Sequence, residues 1–231
     1  MRQIILDTET TGMDPQQGDR LVEIGCVEVM NYVPTGRTYH VYINPERDVP
    51  AEAVAVHGLT TQFLKDKPYF SQIYTDFLDF VAEGHLVIHN AEFDMKFINA
   101  ELRKVGHRPI PDKRVTDTLI MARRKFPGSP ASLDALCRRF GIDNSAREYH
   151  GALLDAQLLA EVYLEMMGGR QHGLGLSAEA QLSHNEQGAL VSQHAGRARE
   201  YRAPRPHAAS AEELAAHASL RAQLKDPLWN D

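Results

Sequence analysis

Apolar and polar positions follow two periods along the first 169 residues. Runs of consecutive or alternating apolar residues predict five strands, at 3–7, 21–30, 37–44, 86–89 and 114–116. The turn-rich stretch NYVPTG separates the second strand from the third, which predicts a hairpin. Helical periodicity predicts four helices, at 70–82, 91–105, 132–140 and 151–167. Helices between and after strands indicate an α/β sheet that opens with an antiparallel meander and is completed by parallel strands.

The periodic pattern is lost after Gly169. Residues 170–209 are rich in Gly, Ala, Gln, Ser and His, which predicts a flexible linker. A helical signal returns at Ser210, which with Glu213 has the spacing of a capping box. Pro227 ends the pattern, whose loose apolar face consists of Leu214, Leu220 and Leu224. The sequence thus predicts a domain at 1–169, a linker at 170–209 and a terminal segment at 210–231.

Composition is that of an ordinary soluble protein. The chain has 231 residues, 43% hydrophobic and 24% charged, which suffices for one sizeable core with an appendage or for two small domains. No apolar stretch approaches the roughly 20 residues of a membrane helix, and a strand begins at once, so we expect a cytoplasmic protein without a membrane segment. Cys26 and Cys137 lie in apolar contexts without metal-ligand spacing, which predicts buried free thiols.

The charge is confined to the first part of the chain. Residues 1–169 contain 18 Lys and Arg against 24 Asp and Glu, and the remainder contains seven of each, so the formal charge of −6 belongs to 1–169. A protein that binds nucleic acid by phosphate neutralisation alone needs clustered Lys and Arg. If the ligand is a polyanion, metal ions or tethering must assist its binding to this acidic region.

Two acids end the first predicted strand. Asp7 and Glu9 are two residues apart, so on a strand they share one face and lie roughly 7 Å from each other. The same spacing at Glu46 and Asp48 falls in a loop bounded by prolines, so the pattern alone is not informative. For either strand-end acid, a solvated strand tip or a helix N-cap is the ordinary explanation.

Three further residues stand at comparable positions. Asp94 falls in the first turn of a helix that follows an apolar strand, where dipole complementarity alone would also explain it. His150 and Asp155 are five residues apart, which on a regular helix separates them by about 140°. They converge only if His150 precedes the helix, and Gly151 is expected to give the backbone the freedom to bend there. The alternative for His150 is local hydrogen bonding at a helix start.

The conjunction of these residues is more informative than any one of them. Four carboxylates and one histidine come to strand ends or helix starts of a single α/β unit, and without a cation their repulsion would destabilise the fold. Hard oxygen ligands of this kind hold pairs of Mg²⁺ or Mn²⁺ ions about 3.5–4 Å apart, as in enzymes that hydrolyse phosphodiesters. The sequence therefore predicts a two-metal site, and the ions would supply the positive charge that 1–169 lacks.

The segments DTETTG, HNAEFD and HGALLD resemble the three exonuclease motifs of the DEDD superfamily in its histidine-bearing branch, DEDDh. With AVAVHGLT, VTDTLIMARRKFPG and SLDALCRRFGI between them, residues 1–169 are similar to the family of epsilon (proofreading) subunits of bacterial DNA polymerase III along nearly their whole length. The resemblance implies an RNase H-like fold and the 3′-to-5′ removal of nucleotides from a DNA primer end as nucleoside 5′-monophosphates.

The resemblance also implies roles for individual residues. Asp7, Glu9 and Asp155 would hold the first ion, and Asp7 would bridge to a second ion held by Asp94, with His150 as general base. The residues expected to contact the terminal nucleotide are Thr10, Thr11, Gly12, Met13, His57 and Phe93. Asp117 is instead predicted to be a helix N-cap, because VTDTL passes from strand to helix there.

In this family the tail binds partners. Residues 171–176 fit a sliding-clamp motif, with Leu176 at a position where the family usually has an aromatic residue. The segment 210–231 would dock on the polymerase catalytic (alpha) subunit, and a small accessory (theta-like) subunit on 1–169 is left open. Tethering to the polymerase would raise the effective concentration of the exonuclease domain at the primer end. The domain would then not need to bind DNA tightly alone, which predicts weak intrinsic DNA binding. The residues expected to contact the clamp and the polymerase are Gln171, Leu174, Leu176, Leu220, Leu224 and Trp229.

Two alternatives stay open at this point. DEDDh relatives with the same motifs trim RNA, and the five site residues do not distinguish the two substrates. The tail of about sixty residues favours the replication subunit, since a stand-alone trimming enzyme has no evident use for it. The chain could also be a structural polymerase subunit without catalysis, although the presence of all five site residues argues against it.

Overall fold

A computed structural model describes residues 1–145, 149–169 and 209–223. The chain divides into two units, Met1–Leu174 and Gly175–Asp231. The predicted linker lies outside the described residues except for residue 209. Within the described ranges, no helix has the length and apolar character needed to cross a membrane.

The first unit contains five strands and seven α-helices among its described residues. The strands are β1 (Arg2–Thr10), β2 (Leu21–Met30), β3 (Val33–Tyr42), β4 (His85–Ile88) and β5 (Val115–Asp117). The helices are α1 (Ala51–His57), α2 (Thr61–Leu64), α3 (Phe70–Val81), α4 (Ala91–Lys104), α5 (Thr118–Lys125), α6 (Leu133–Phe140) and α7 (Ala152–Met166). All predicted strands and helices are present, with bounds shifted by a few residues.

The five strands form one mixed sheet in the order β3-β2-β1-β4-β5. β1 pairs antiparallel with β2, and β2 with β3, whereas β4 lies parallel to β1 and β5 parallel to β4. The predicted meander followed by parallel strands is therefore confirmed. Because β1, β4 and β5 run in the same direction, their carboxyl ends meet at one edge of the sheet, which is where open α/β sheets bind ligands.

The hairpin between β2 and β3 is tighter than predicted. β3 begins at Val33 and not at residue 37, since the turn consists only of Asn31 and Tyr32. Both have positive φ, 51° and 68°, as a two-residue hairpin loop requires. Pro34, which suggests a longer turn in the sequence, is accommodated because β3 is at the edge of the sheet.

Helices α1 and α2 are not predicted by the sequence pattern. They have seven and four residues, too few for a periodic apolar signal to emerge. Helix α1 ends at His57, which lines the candidate active site described below.

Alternating residues of β1 pack against helices on opposite faces of the sheet. Ile4 and Leu6 are fully buried against α3 and α4, whereas Ile5 is buried against α6 and α7. The two cysteines are buried and free, as predicted, and burial raises the pKa of the Cys26 thiol. The sheet is therefore covered by helices on both faces.

The second unit is described only at 209–223. Helix α8 (Ala211–Gln223) begins with the predicted capping box: the Ser210 amide donates to Glu213 Oε2 at 2.8 Å, and the Glu213 amide donates to Ser210 Oγ at 3.2 Å. Its leucines Leu214 and Leu220 are 57% and 56% exposed. Leu224 and Trp229 lie outside the described residues.

Candidate active site

The end of β1 places two carboxylates on one face of the sheet. Asp7 and Glu9 follow Ile5 at the two-residue period of a strand, on the face that packs against α7. Asp7 lies opposite Gly25 of β2, and the register shifts between Glu9 and Thr10, where the pairing with β2 becomes irregular. The shared face predicted for the two acids is confirmed.

Gly25 lets helix α7 approach this face closely. A Cβ atom at residue 25 would lie 2.2 Å from the carbonyl carbon of Ala152 and 2.3 Å from the amide nitrogen of Leu153, so no side chain fits there. Because the start of α7 rests on the glycine, Asp155 in its first turn is brought to the end of β1 and is buried.

His150 precedes α7, as its convergence with Asp155 requires. Its amide donates to the Val56 carbonyl of α1 at 3.0 Å, and its Nδ1 lies 3.5 Å from Asp155 Oδ2. The expected role of Gly151 is wrong, however. Gly151 has φ −142° and ψ 123°, a conformation open to any residue, and open space where a side chain would be. The extended backbone itself turns His150 towards Asp155.

Glu9, His150 and Asp155 form a candidate metal centre. Each offers a ligand atom, and the three atoms lie within 4.8 Å of one another. Glu9 and Asp155 are buried, whereas the His150 side chain is half exposed. Buried carboxylates brought this close are stabilised by a cation, and their oxygen atoms are the ligands that Mg²⁺ and Mn²⁺ prefer. The residues present therefore fit a divalent ion.

Asp94 enters the site from the other face of the sheet. It is buried in the first turn of α4, and its Oδ1 accepts a hydrogen bond from the Thr8 hydroxyl at 2.7 Å. Burial raises the pKa of Asp94 to about 7, although the Thr8 hydroxyl acts in the opposite direction. A buried carboxyl of this kind is held ionised at neutral pH by a nearby cation.

Asp117 is an N-cap, as predicted, and it caps two helices. Its Oδ1 accepts from the Leu119 amide at 2.8 Å at the start of α5, and its Oδ2 accepts from the Ala91 amide at 3.1 Å at the start of α4. The second bond fixes the helix turn that carries Asp94. Asp117 therefore stabilises the site from outside it.

A single cleft of about 1220 Å³ joins these groups. Its lining contains all five predicted catalytic residues and all six predicted nucleotide contacts, namely Asp7, Glu9, Asp94, His150, Asp155, Thr10, Thr11, Gly12, Met13, His57 and Phe93. The Met13 side chain is 75% exposed, whereas Phe93 packs on Phe97 with ring centroids 5.1 Å apart. His57 is buried, which lowers its pKa, and its Nδ1 accepts from the Leu59 amide at 3.0 Å.

Comparison with known proteins identifies the family. The exonuclease model (RNase_T) matches residues 4–163. The DNA polymerase III subunit epsilon of Rickettsia conorii is 54% identical over 188 residues, which cover 80% of this chain and 82% of that protein. The subunit of the same name from Escherichia coli (strain K12) is 46% identical over 224 residues, 94% of this chain and 90% of that protein. The chain belongs to the exonuclease family of DNA polymerase III epsilon subunits.

Solved structures agree with this assignment. The chain matches Exonuclease X in complex with 5′ overhanging duplex DNA with a TM-score of 0.56 and 25% identity, over 71% of this chain and 90% of that one. The nuclease domain of 3′hExo, a DEDDh family member bound to rAMP, matches in fold, with a TM-score of 0.60 and 18% identity over 72% of this chain and 91% of that one. The predicted RNase H-like fold is confirmed, and this epsilon-family chain is a metal-dependent 3′-to-5′ exonuclease.

Two residues that shape the epsilon-family site, Gly25 and Asp19, are not among the predicted site residues. Gly25 interrupts an apolar strand, and such a glycine signals close approach of another backbone. Asp19 braces the loop after β1: its Oδ2 accepts from the Asp14 amide at 3.1 Å, and its Oδ1 accepts from the Thr11 hydroxyl at 3.3 Å. A Cβ at residue 12 would lie 2.3 Å from this carboxylate, so Asp19 keeps this position because residue 12 is glycine. No local pattern marks Asp19, because its partners are brought together by the fold of the loop.

The residues expected to bind protein partners are mostly outside the described part of the chain. Of the six, the structure describes only Leu220, on α8. The others are Gln171, Leu174, Leu176, Leu224 and Trp229.

Proposed function

We propose that this chain is the 3′-to-5′ proofreading exonuclease of a replicative DNA polymerase, which hydrolyses mispaired 3′-terminal nucleotides to nucleoside 5′-monophosphates. The observation that carries the proposal is the convergence of Glu9, His150 and Asp155, with Asp7 and Asp94 in the same cleft. The names and the high identity of the epsilon relatives support the choice of a DNA primer end as substrate.

The proposed cation site has two halves. Asp7, Glu9 and Asp155 would hold the first ion, and Asp7 together with Asp94 would hold the second. Mg²⁺ and Mn²⁺ both suit this set of carboxylate oxygens. When bound, such a pair of ions stabilises the charge on the attacking and leaving oxygens of an in-line displacement.

His150 is proposed to take the proton from the attacking water. Its half-exposed ring reaches the cleft, while Asp155, 3.5 Å from its Nδ1, fixes its orientation. Histidine is the side chain that most often acts as a general base in enzymes. The hydrogen bond from the His150 amide to Val56 couples the base to α1, and so to His57 in the nucleotide pocket.

The terminal nucleotide is proposed to bind at the β1 end of the cleft. The backbone of Thr10, Thr11 and Gly12 would contact the sugar and phosphate, with Met13 and Phe93 against the base. Asp19 supports this arrangement, since it holds the loop through Thr11. A preformed loop reduces the ordering required when the nucleotide binds.

The tail is proposed to tether the exonuclease. Residues 171–176 would bind the sliding clamp, and 210–231 would bind the polymerase alpha subunit, where the exposed Leu220 offers an apolar contact. A small theta-like subunit on 1–169 stays a prediction of the family resemblance. Tethering is consistent with the acidic character of 1–169, because a protein held near the primer end need not bind DNA tightly by itself.

The substrate assignment is tested by cleavage of matched DNA and RNA oligonucleotides. With Mg²⁺ we expect mononucleotides to be released from the 3′ end of DNA faster than from RNA of the same sequence, and EDTA to abolish both reactions. A strong preference for RNA would overturn the proofreading function. Release of no mononucleotide from either substrate would leave only a structural role in the polymerase.

A further inference from the structure

The cleft has one cationic side chain that the reaction described above does not use. Seven acidic residues line it, and among its described lining residues the only Lys or Arg is Arg123. Cations near the loop after β1 are paired already: Arg47 donates to Asp19 at 2.9 Å, and Lys96 lies 2.9 Å from Asp14. Within the described residues, no carboxylate oxygen is within 4 Å of the Arg123 guanidinium.

Helical geometry directs Arg123 towards the cleft. Thr118 and Ala122 are fully buried, which fixes the inward face of α5. Leu119 and Arg123, one turn apart, both line the cleft. Arg124 lies on a different side of the same helix, against the groove formed with β5. Two neighbouring arginines of equal charge thus face different surfaces.

Arg123 lies at a distance, along the sheet, from the carboxylates at the end of β1. Helix α5 follows β5, which lies two strands from β1, or about 10 Å at the usual strand spacing. His89 at the end of β4 lies between, held by a 2.9 Å hydrogen bond between its Nδ1 and Thr118 Oγ1. Burial lowers the pKa of His89, and the charge of Arg123 acts in the same direction, which agrees with their proximity. The nucleotide pocket at Thr10–Met13 lies on the other side of the centre, towards α1.

A DNA strand that crosses the cleft therefore meets the nucleotide pocket, the carboxylates and Arg123 in a fixed order. Its terminal nucleotide occupies the pocket beside α1, its scissile phosphate lies at the carboxylates, and the preceding phosphates pass α5. We propose that Arg123 is a positioning residue that binds a phosphodiester group on the 5′ side of the scissile bond. This inference rests on the proposed function. A guanidinium suits the role because its planar donors match two phosphate oxygens at once.

A second explanation for Arg123 is electrostatic stabilisation of the carboxyl end of α5. Arg123, Arg124 and Lys125 all stand in the last turn of the helix, where cations interact favourably with the helix dipole. Arg124 shares this role but does not line the cleft. The variant Arg124→Gln is therefore a matched control for Arg123→Gln, with the same change of charge one residue away.

The test compares two substrates with Mg²⁺ present. One is a short single-stranded oligodeoxynucleotide. The other is the p-nitrophenyl ester of thymidine 5′-monophosphate, which carries the scissile phosphate and no phosphate on its 5′ side. On the oligonucleotide, we expect Arg123→Gln to raise KM about tenfold with little change in kcat, the loss of one charge-assisted contact. The slope of log(kcat/KM) against log salt should fall by about 0.7, the value for one phosphate of a single strand.

On the ester, Arg123→Gln should change kcat/KM by less than about twofold, and Arg123→Lys should recover part of the loss on the oligonucleotide. An equal loss on both substrates, or an equal loss for Arg124→Gln, would overturn the inference, since either result would indicate a structural effect. If the unmodified protein cleaved neither substrate, the proposed function would fail first, and this inference with it.

Discussion

Gly25 offers a test of how backbone packing positions the active site. An added Cβ would lie 2.2 Å from the Ala152 backbone, and ordinary van der Waals contact begins at 3.4 Å, so the start of α7 must move by about 1.2 Å to admit it. Asp155 lies in the first turn of that helix and would move with it, away from Glu9. A misplacement of about 1 Å in a catalytic group lowers rates by about 10²-fold. We therefore expect Gly25→Ala to lower kcat about a hundredfold.

The assay is the release of mononucleotides from single-stranded DNA at saturating substrate and Mg²⁺, with thermal unfolding followed by circular dichroism on the same samples. Gly151→Ala is the control, because it adds the same methyl group at the start of α7, where the structure has open space and an ordinary φ of −142°. It should retain activity within about threefold. If Gly25→Ala retained the unmodified rate, the close approach of α7 to β2 would not position the site.

Three further predictions concern the carboxylates and the base. The double variant Asp7→Ala, Glu9→Ala should lose nuclease activity yet unfold at the same or a slightly higher temperature without metal, because repulsion is relieved; retained activity would refute the metal role. His150→Gln should lower kcat by about 10²–10⁴-fold and flatten its rise between about pH 6 and 8, and an unchanged pH profile would remove His150 from the role of base. Without divalent ions, the free energy of unfolding should fall as pH rises from about 4 to 7. Folded Asp94, with its pKa near 7, binds a proton more tightly than the unfolded chain, whose aspartate pKa is 3.8. Urea unfolding of Asp94→Asn should lack this part of the pH dependence, and an identical slope in both proteins would contradict the assignment.

The sheet and its long helices can be predicted from the sequence because each has a periodic apolar pattern. The pattern also located Asp7 and Glu9 correctly, since strand geometry alone places residues two apart on one face. Short elements cannot be predicted in this way. Helices α1 and α2 are held by packing against β2 and the loop after β3, and β3 begins earlier than predicted because the turn needs only Asn31 and Tyr32.

The residues of the candidate site were found, but the contacts that position them were not. Asp155 reaches Glu9 because Gly25 admits the backbone of α7, a contact between segments more than 120 positions apart. Asp19 acts on the loop after β1 only once that loop has folded back on itself. Arg123 and Arg124 are equivalent in the sequence, and only the packing of α5 distinguishes the one that lines the cleft. Long-range packing of this kind leaves no periodic signal.

Removal of mispaired nucleotides from the 3′ end of DNA is the proposed function of this metal-dependent cleft. The most direct measurement is digestion of a 3′-labelled primer annealed to a template, with a matched or a mismatched terminal pair, in the presence of Mg²⁺ and with or without the polymerase alpha subunit. We expect release of the labelled nucleoside 5′-monophosphate, faster from the mismatched end, and faster again with the alpha subunit present. Equal rates from matched and mismatched ends, or label that stays on the primer, would contradict it.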